Sequence, residues 1–204
     1  MSSPLSPILA DMVLDDLETS CIGNLGFDVR IFHRYVDDIF TILPTNKIQY
    51  GLDKFNAYHP RLKFTLELEC NNCLNFLDVT VILEDDVLIT NWYRKPTFSG
   101  RYINFFGNNP LHHKINVITS LIDRAILLSD KRFHDANIDL VKSILINNSY
   151  PLDSIERHIK MRRKKIVHRR NDNNNPDERL SINNNNNEHN KGFIAIPMLT
   201  ATVQ

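Results

Sequence analysis

The sequence predicts an α+β fold in two parts. An antiparallel sheet with packing helices is expected over residues 1–100, and a three-helix bundle over 101–166. Three observations carry this. Between Arg30 and Tyr93, apolar runs of strand length alternate with short Asp- or Asn-bearing turns. After Pro110, apolar residues recur at helical spacing instead. Charge divides along the same line: residues 1–100 hold 8 basic and 14 acidic side chains, residues 101–170 hold 14 and 6, and residues 171–204 hold 2 and 4. An acidic stretch followed by a basic one suits a protein that holds divalent cations in one place and phosphates in another. A chance unevenness of solvated charge would look the same.

The chain has 204 residues, with 24 basic and 24 acidic side chains, so a uniformly basic coat is excluded. No apolar run is long enough to span a membrane. The N-terminal MSSPLSPILADMV has no basic segment and carries Asp11, which makes a poor signal peptide. Its 3 cysteines are too few for a disulfide scaffold, so an intracellular location, nucleus or cytoplasm, is expected.

Taken in order, Pro4 to Leu17 reads as a helix. Leu5, Ile8, Leu9, Met12, Val13 and Leu17 fall on one stripe, expected to face inward, and Asp11, Asp15 and Glu18 on the other. Those acids read as a solvated face, with a metal cluster as the alternative. Ser3 or Ser6 would cap the helix, each followed by proline. Arg30 to Val36 and Ile39 to Leu43 read as strands joined by a tight turn at Asp37-Asp38. A helix capped by Thr45 runs to Tyr58, with Ile48, Leu52 and Phe55 inward. Leu62 to Leu68 alternates like a half-exposed strand. Cys70-Asn71-Asn72-Cys73 reads as a hairpin turn, because asparagine tolerates positive φ. Half a zinc site or a redox pair is the alternative, but no second CxxC exists to complete a four-thiolate site. Leu74 to Leu83 and Val87 to Tyr93 are further strands around an Asp85-Asp86 turn.

Beyond Pro110, Ile115, Ile118, Leu121, Ile122, Ala125 and Leu128 define a first helix. Ile138, Val141, Ile144 and Leu145 define a second. Asn147 to Pro151 is a turn, and Leu152, Ile155 and Ile159 start a third helix, which runs into Arg162-Arg163-Lys164-Lys165. Residues 167–192 are Asn-rich and are expected to form a disordered linker. Residues 193–204 are apolar again and read as the start of a further segment.

The sharpest chemical feature is Tyr35-Val36-Asp37-Asp38. Two adjacent carboxylates at the tip of an apolar hairpin offer hard oxygen donors of the kind Mg²⁺ takes together with substrate phosphates. A pair of such ions can activate a 3′-hydroxyl and stabilise leaving pyrophosphate. An ordinary Asp-Asp surface turn would carry the same letters. A second cluster places Arg94, Lys95 and Arg101 among Trp92, Tyr93, Phe98 and Tyr102. Cations hold phosphates without reading sequence, and aromatic rings stack on bases. A solvated rim around core aromatics is the competing explanation. For Arg157 to Arg170, a solvated helix end or a localisation signal competes with duplex binding.

The order of these blocks resembles the reverse transcriptases of Penelope-like retroelements, relatives of telomerase-type enzymes. The resemblance rests on Ser3-Pro4-Leu5-Ser6-Pro7-Ile8-Leu9-Ala10, then Arg34-Tyr35-Val36-Asp37-Asp38, then Leu74-Asn75-Phe76-Leu77-Asp78-Val79, then Tyr93-Arg94-Lys95-Pro96-Thr97-Phe98-Ser99-Gly100-Arg101-Tyr102. It runs from Met1 to about residue 166. It implies an RNA-directed DNA polymerase: a partial palm over 1–100 and a thumb over 101–166, working on an RNA template and DNA primer with Mg²⁺. Ser3, Pro4, Leu5, Ser6 and Tyr35 would then contact nucleotide and template. Asp37 and Asp38 would be the catalytic metal ligands, and Leu74, Asn75, Phe76, Leu77 and Asp78 the primer grip. Arg94, Lys95, Arg101, Lys114 and Arg124 would bind nucleic acid. Lys63 falls where a proton donor to pyrophosphate is expected. The basic helical region also resembles a helix-turn-helix module of animal retroelement proteins, its turn at Asn147 to Pro151.

The chain also departs from that family. It starts at the Ser3–Ala10 block, without the upstream strand that bears the first metal-binding aspartate, and Ser2 stands where the family has glycine. The family's C-terminal nuclease is missing too. The expectation is a fragment inactive as a polymerase, with a non-catalytic helix-turn-helix nucleic-acid-binding protein as the alternative.

Overall fold

In a computed structural model of the chain, residues 5–29, 31–85, 87–172 and 191–199 are described. The fold is α+β, with five helices and small antiparallel sheets among the described residues. Two units form. One contains the described residues up to Phe76 together with strand 191–199, and the other those from Leu77 to Asp172.

In the first unit, helix α1 spans Ser6–Gly23 and is followed by a hairpin of β1 (Phe32–Tyr35) and β2 (Asp38–Pro44). A 3₁₀ turn at Thr45–Lys47 leads into α2 (Ile48–Ala57), which buries Gly51 and Phe55. The expected strand over 62–68 forms only as two short pieces, β3 (Lys63–Phe64) and β4 (Glu67–Leu68). Leu17, Cys21, Ile39, Leu43, Phe55 and Phe64 form the core. Phe55 packs edge-on to Phe64 at 5.4 Å and stacks with Phe32 at 6.2 Å. Asn71 and Asn72 take φ of 53° and 59°, the two-residue turn their sequence indicates, and Cys70 and Cys73 exchange both backbone hydrogen bonds across it. Strand β5 (Cys73–Phe76) follows.

Helix α1 buries Leu17 as expected, but not the rest of the expected stripe. Leu5, Ile8, Leu9, Met12 and Val13 are exposed, Leu5 by 62%. The buried positions are Leu14, Leu17 and Cys21. The Arg34 guanidinium on β1 meets Asp11 at 2.8 Å, Asp15 at 2.5 Å and Glu18. Asp11 and Asp15 stay exposed, as a solvated face would, and Glu18 is partly buried. The three acids surround one cation whose side chain is only 15% exposed, and hydrogen bonds to Asp11 and Glu18 hold its pKa above the ordinary guanidinium value, Asp11's contributing most.

The second unit opens with the hairpin β6 (Val79–Glu84) and β7 (Val87–Trp92), in register from Val79↔Trp92 to Glu84↔Val87. Helices α3 (Leu111–Leu127), α4 (His134–Asn147) and α5 (Leu152–Asp172) complete it. Ile118, Leu121, Ile122, Val141, Leu145 and Ile155 form its core, and Trp92 belongs to the same cluster. The structural division thus falls after Phe76 and not at residue 100. Backbone bonds explain why: Asp130 N–H donates to Thr90 O at 2.8 Å, and Trp92 N–H donates to Ser129 Oγ at 3.0 Å. The β6–β7 hairpin is fastened to the helices. The third helix also continues to Asp172, so residues 167–172 are helical backbone and not linker. Residues 173–190 lie outside the described residues.

The apolar segment beyond the Asn tracts forms β8 (Lys191–Leu199). It enters the first unit's sheet beside β2, antiparallel, from Asp38↔Pro197 to Pro44↔Lys191. Its other side takes β4 at Glu67↔Ala195 and Leu68↔Ile194, and β3 at Lys63↔Leu199 and Phe64↔Met198. Pro197, which has no N–H to donate, falls opposite the break between β3 and β4.

Candidate nucleic-acid interface

Two places gather the residues singled out by sequence, one in each unit. The first is the β1–β2 hairpin. Tyr35 pairs with Asp38, so the two-residue turn is Val36-Asp37 and not Asp37-Asp38. Asp37 is exposed at the tip, and Asp38 is half-buried as the first residue of β2. Val36 has φ 55°, a strained value for a β-branched side chain, costing on the order of 1–2 kcal/mol. Arg34 Nη1 donates to Val36 O at 3.4 Å and so ties this turn to Asp11 of α1. Tyr35 and Val36 are exposed. Of the proposed nucleotide-contacting block, Ser3 and Pro4 lie outside the described residues. Leu5 is exposed and Ser6 opens α1.

No group of three or more His, Cys, Asp or Glu side chains that could hold a metal ion occurs among the described residues. The strand beside β2 brings no carboxylate, because Lys191–Leu199 contains none. Lys63 is exposed and donates to Asn56 O at 3.5 Å.

The run Leu74 to Asp78 is not one continuous strand. Leu77 takes φ 53°, breaking the predicted strand 74–83 into β5 and β6. Leu74 is buried, Asn75 exposed, and Phe76 lies 5.5 Å from Phe40. Leu77 and Asp78 are exposed in the turn. These five residues alternate between core and surface and do not line one face.

The second place is the helical unit. Lys95 and Arg101 are exposed. Lys114 Nζ donates to Gly107 O at 2.8 Å and lies 5.5 Å from the Phe105 ring, so it braces the loop ahead of α3. Arg124 faces Asp78 at 3.6 Å. Arg94 sits over the rings of Trp92 at 5.2 Å and Phe98 at 6.0 Å.

Helices α4 and α5 are joined by the turn 148–151. Asn148 fastens the preceding loop to that turn. Its Nδ2 donates to Gly100 O at 2.8 Å, and its Oδ1 accepts from Tyr102 N–H at 2.9 Å. Its backbone O accepts from Phe105 N–H at 3.0 Å. Ser149 takes φ 67°. Tyr150 is buried against Phe105 at 5.4 Å, and its hydroxyl has no hydrogen-bond partner among the described residues. A buried hydroxyl without a partner is destabilising. Tyr150→Phe is therefore expected to raise the unit's stability by about 1 kcal/mol, which calorimetry would read as a higher Tm. An unchanged or lower Tm would mean the hydroxyl is satisfied.

The α5 surface was not among the candidate site residues, and the structure resolves what its basic run does. Arg162 is taken by Asp123 in a two-point pair at 2.5 Å, and Arg163 by Asp135 at 2.7 Å. Arg157, Lys160, Lys164 and Lys165 are exposed and form no ion pair among the described residues. Ile155, Ile159 and Ile166 are the buried face. Arg157, Lys160 and Lys164, spaced i, i+3, i+7, point directly away from it. That spacing was readable in the sequence. It was obscured because the six residues from Lys160 to Lys165 hold five cations of two different roles.

Residues 101–160 match the animal helix-turn-helix domain. No curated protein and no solved structure matches the chain. No helix among the described residues is long and apolar enough to cross a membrane.

Proposed function

We propose that this protein binds nucleic-acid duplexes through its helix-turn-helix unit, laying the outer face of α5 against the phosphate backbone. One observation carries the reading. Arg157, Lys160 and Lys164 stand exposed and form no ion pair among the described residues, opposite the buried face of α5, the helix that follows the turn 148–151 and enters the matched segment as far as residue 160. Such cations release counterions when they meet phosphates, so affinity falls with salt, by a slope of about 0.9 per contact. The decisive experiment titrates duplex DNA and duplex RNA with the full chain over a range of salt. The triple variant Arg157→Gln, Lys160→Gln, Lys164→Gln should lose about 10²-fold in affinity near 0.1 M salt, and its slope should fall by about 2.7. Asp37→Ala should bind like the parent. Wild-type affinity in the triple variant, or no duplex binding by the parent, would sink this function.

A second reading is favoured by the hairpin. The strained Val36 turn presents Asp37 at a sheet edge, as a polymerase palm would, and the order of sequence blocks agrees with a retroelement reverse transcriptase. Asp37 and Asp38 would hold Mg²⁺, whose hard-ligand chemistry they suit. Two adjacent carboxylates do not by themselves complete a two-ion site, so no catalytic step follows from them. Primer extension with Mg²⁺ should give no product from this chain, and extension abolished by Asp37→Ala would establish polymerase activity instead.

A further inference from the structure

In the helical unit four arginines have carboxylate partners, whereas the half-buried Arg94 has none among the described residues. Arg124 faces Asp78, Arg132 faces Glu84, Arg162 faces Asp123 and Arg163 faces Asp135. Arg94 has no carboxylate partner among the described residues, and its Nε is buried with no hydrogen bond. Burial draws its pKa below the ordinary guanidinium value. A cation taken from water without a counter-ion is costly, and the faces of Trp92 and Phe98 offset only part of that.

The surroundings hold this group in place. Trp92 is buried and its N–H is fixed on Ser129. Phe98 lies 6.2 Å from the Tyr102 ring, and Tyr102 is tied to the helix-turn-helix turn by Asn148. Burial raises the Tyr102 pKa above its ordinary value, while Arg124 and Arg94 pull it down and Asp78 pushes it up. The cluster is net positive, and Arg94 has no carboxylate partner among the described residues.

We propose that Arg94, assisted by Tyr102 and Arg124, is a binding site for one phosphate of a nucleic-acid backbone. Arg94 lies ahead of the matched segment and Tyr102 and Arg124 within it, and none of the three belongs to the α5 stripe. It rests on the duplex-binding reading for the source of the phosphate, though not for its chemistry. A planar guanidinium held between two rings offers paired donors with little entropy left to lose, which a lysine at the same position does not.

Trp92 is the chain's only tryptophan, so its emission reports directly on Arg94. The test titrates the full chain with a duplex, with the same duplex carrying uncharged methylphosphonate linkages, and with inorganic pyrophosphate, following Trp92 emission and anisotropy. The duplex should give a saturable emission change that the uncharged backbone does not. Arg94→Gln should abolish it, weaken duplex affinity about tenfold near 0.1 M salt and lower the salt slope by about 0.9. Arg94→Lys should keep the slope yet bind more weakly, which also guards against a merely misfolded glutamine variant. Duplex binding with silent Trp92 emission, or with Arg94→Gln equal to the parent while Arg157→Gln is weakened, would overturn the site and leave the function standing. An Arg94-dependent response to pyrophosphate without duplex binding would keep the anion site's chemistry but overturn its assignment to a nucleic-acid backbone. Silence toward all three ligands would overturn the site outright.

Discussion

Ile194→Pro will open the first unit's sheet while leaving the helical unit folded. Ile194 pairs with Thr41 of β2 on one side and Leu68 of β4 on the other, so neither side is a tolerant edge. Proline removes a donor from the ladder and is confined in nature to edges and bulges. The cost should be on the order of 2–4 kcal/mol. The consequence exceeds one bond, because β2 carries Ile39, Phe40 and Leu43 in the core. Detached from β8, β2 becomes an apolar edge strand, which invites pairing with other chains. Hydrogen exchange by residue would show β2 amides losing protection and α3–α5 amides keeping theirs. Unchanged protection across β2 would mean that β8 does not hold the sheet in solution.

That strand also marks the limit of what the sequence could convey. Its strand character was legible from Phe193 to Leu199, but its partner was not. Period-two alternation describes how a strand faces a core, and says nothing about which strand lies beside it when more than 140 positions separate Thr41 from Ile194. The same distinction explains α1. The apolar stripe Leu5–Val13 was correctly seen as a stripe, yet α1 buries Leu14, Leu17 and Cys21 instead, while Arg34 of β1 engages Asp11, Asp15 and Glu18. Local patterns were reliable where the deciding force was local. Asn71-Asn72 formed its turn because both residues tolerate positive φ, and the three helices after Pro110 appeared where their apolar spacing placed them. The hairpin at 32–43 was legible too, but its turn fell one residue early. The sequence suggested aspartates for the apex, whereas the Tyr35–Asp38 pairing put Val36 into the strained position. For the α5 surface, composition alone mixed cations that carry structure with cations left free. Only the positions of Asp123 and Asp135 separate them.

Asn137→Ala should cost the helical unit about 2–4 kcal/mol, a large effect for a position that looks like an ordinary helical asparagine. Asn137 is buried near the start of α4. Its Nδ2 donates to Asn91 Oδ1 at 2.9 Å and to Ser129 Oγ at 2.8 Å. Ser129 Oγ in turn accepts from Trp92 N–H at 3.0 Å. Three elements, β7, the end of α3 and the start of α4, therefore meet in one polar network, which is strong only while every member is satisfied. Removing the Asn137 amide takes one donor from Asn91 Oδ1 and one from Ser129 Oγ. Removing Ser129 instead leaves the Trp92 N–H without its acceptor. Each single change thus carries the penalty of the partner it abandons, and the double variant Ser129→Ala, Asn137→Ala should cost measurably less than the two singles combined. Thermal unfolding of the four proteins would measure that coupling, and strict additivity would show that the groups act independently. The network also bears on the proposed nucleic-acid surface. Trp92 is the platform on which Arg94 lies, so loosening Asn137 should weaken the Arg94 contact before it disturbs Arg157, Lys160 and Lys164 on the far face of α5. In Asn137→Ala at temperatures where the fold persists, the Trp92 emission response to duplex should fade while the salt slope contributed by α5 remains.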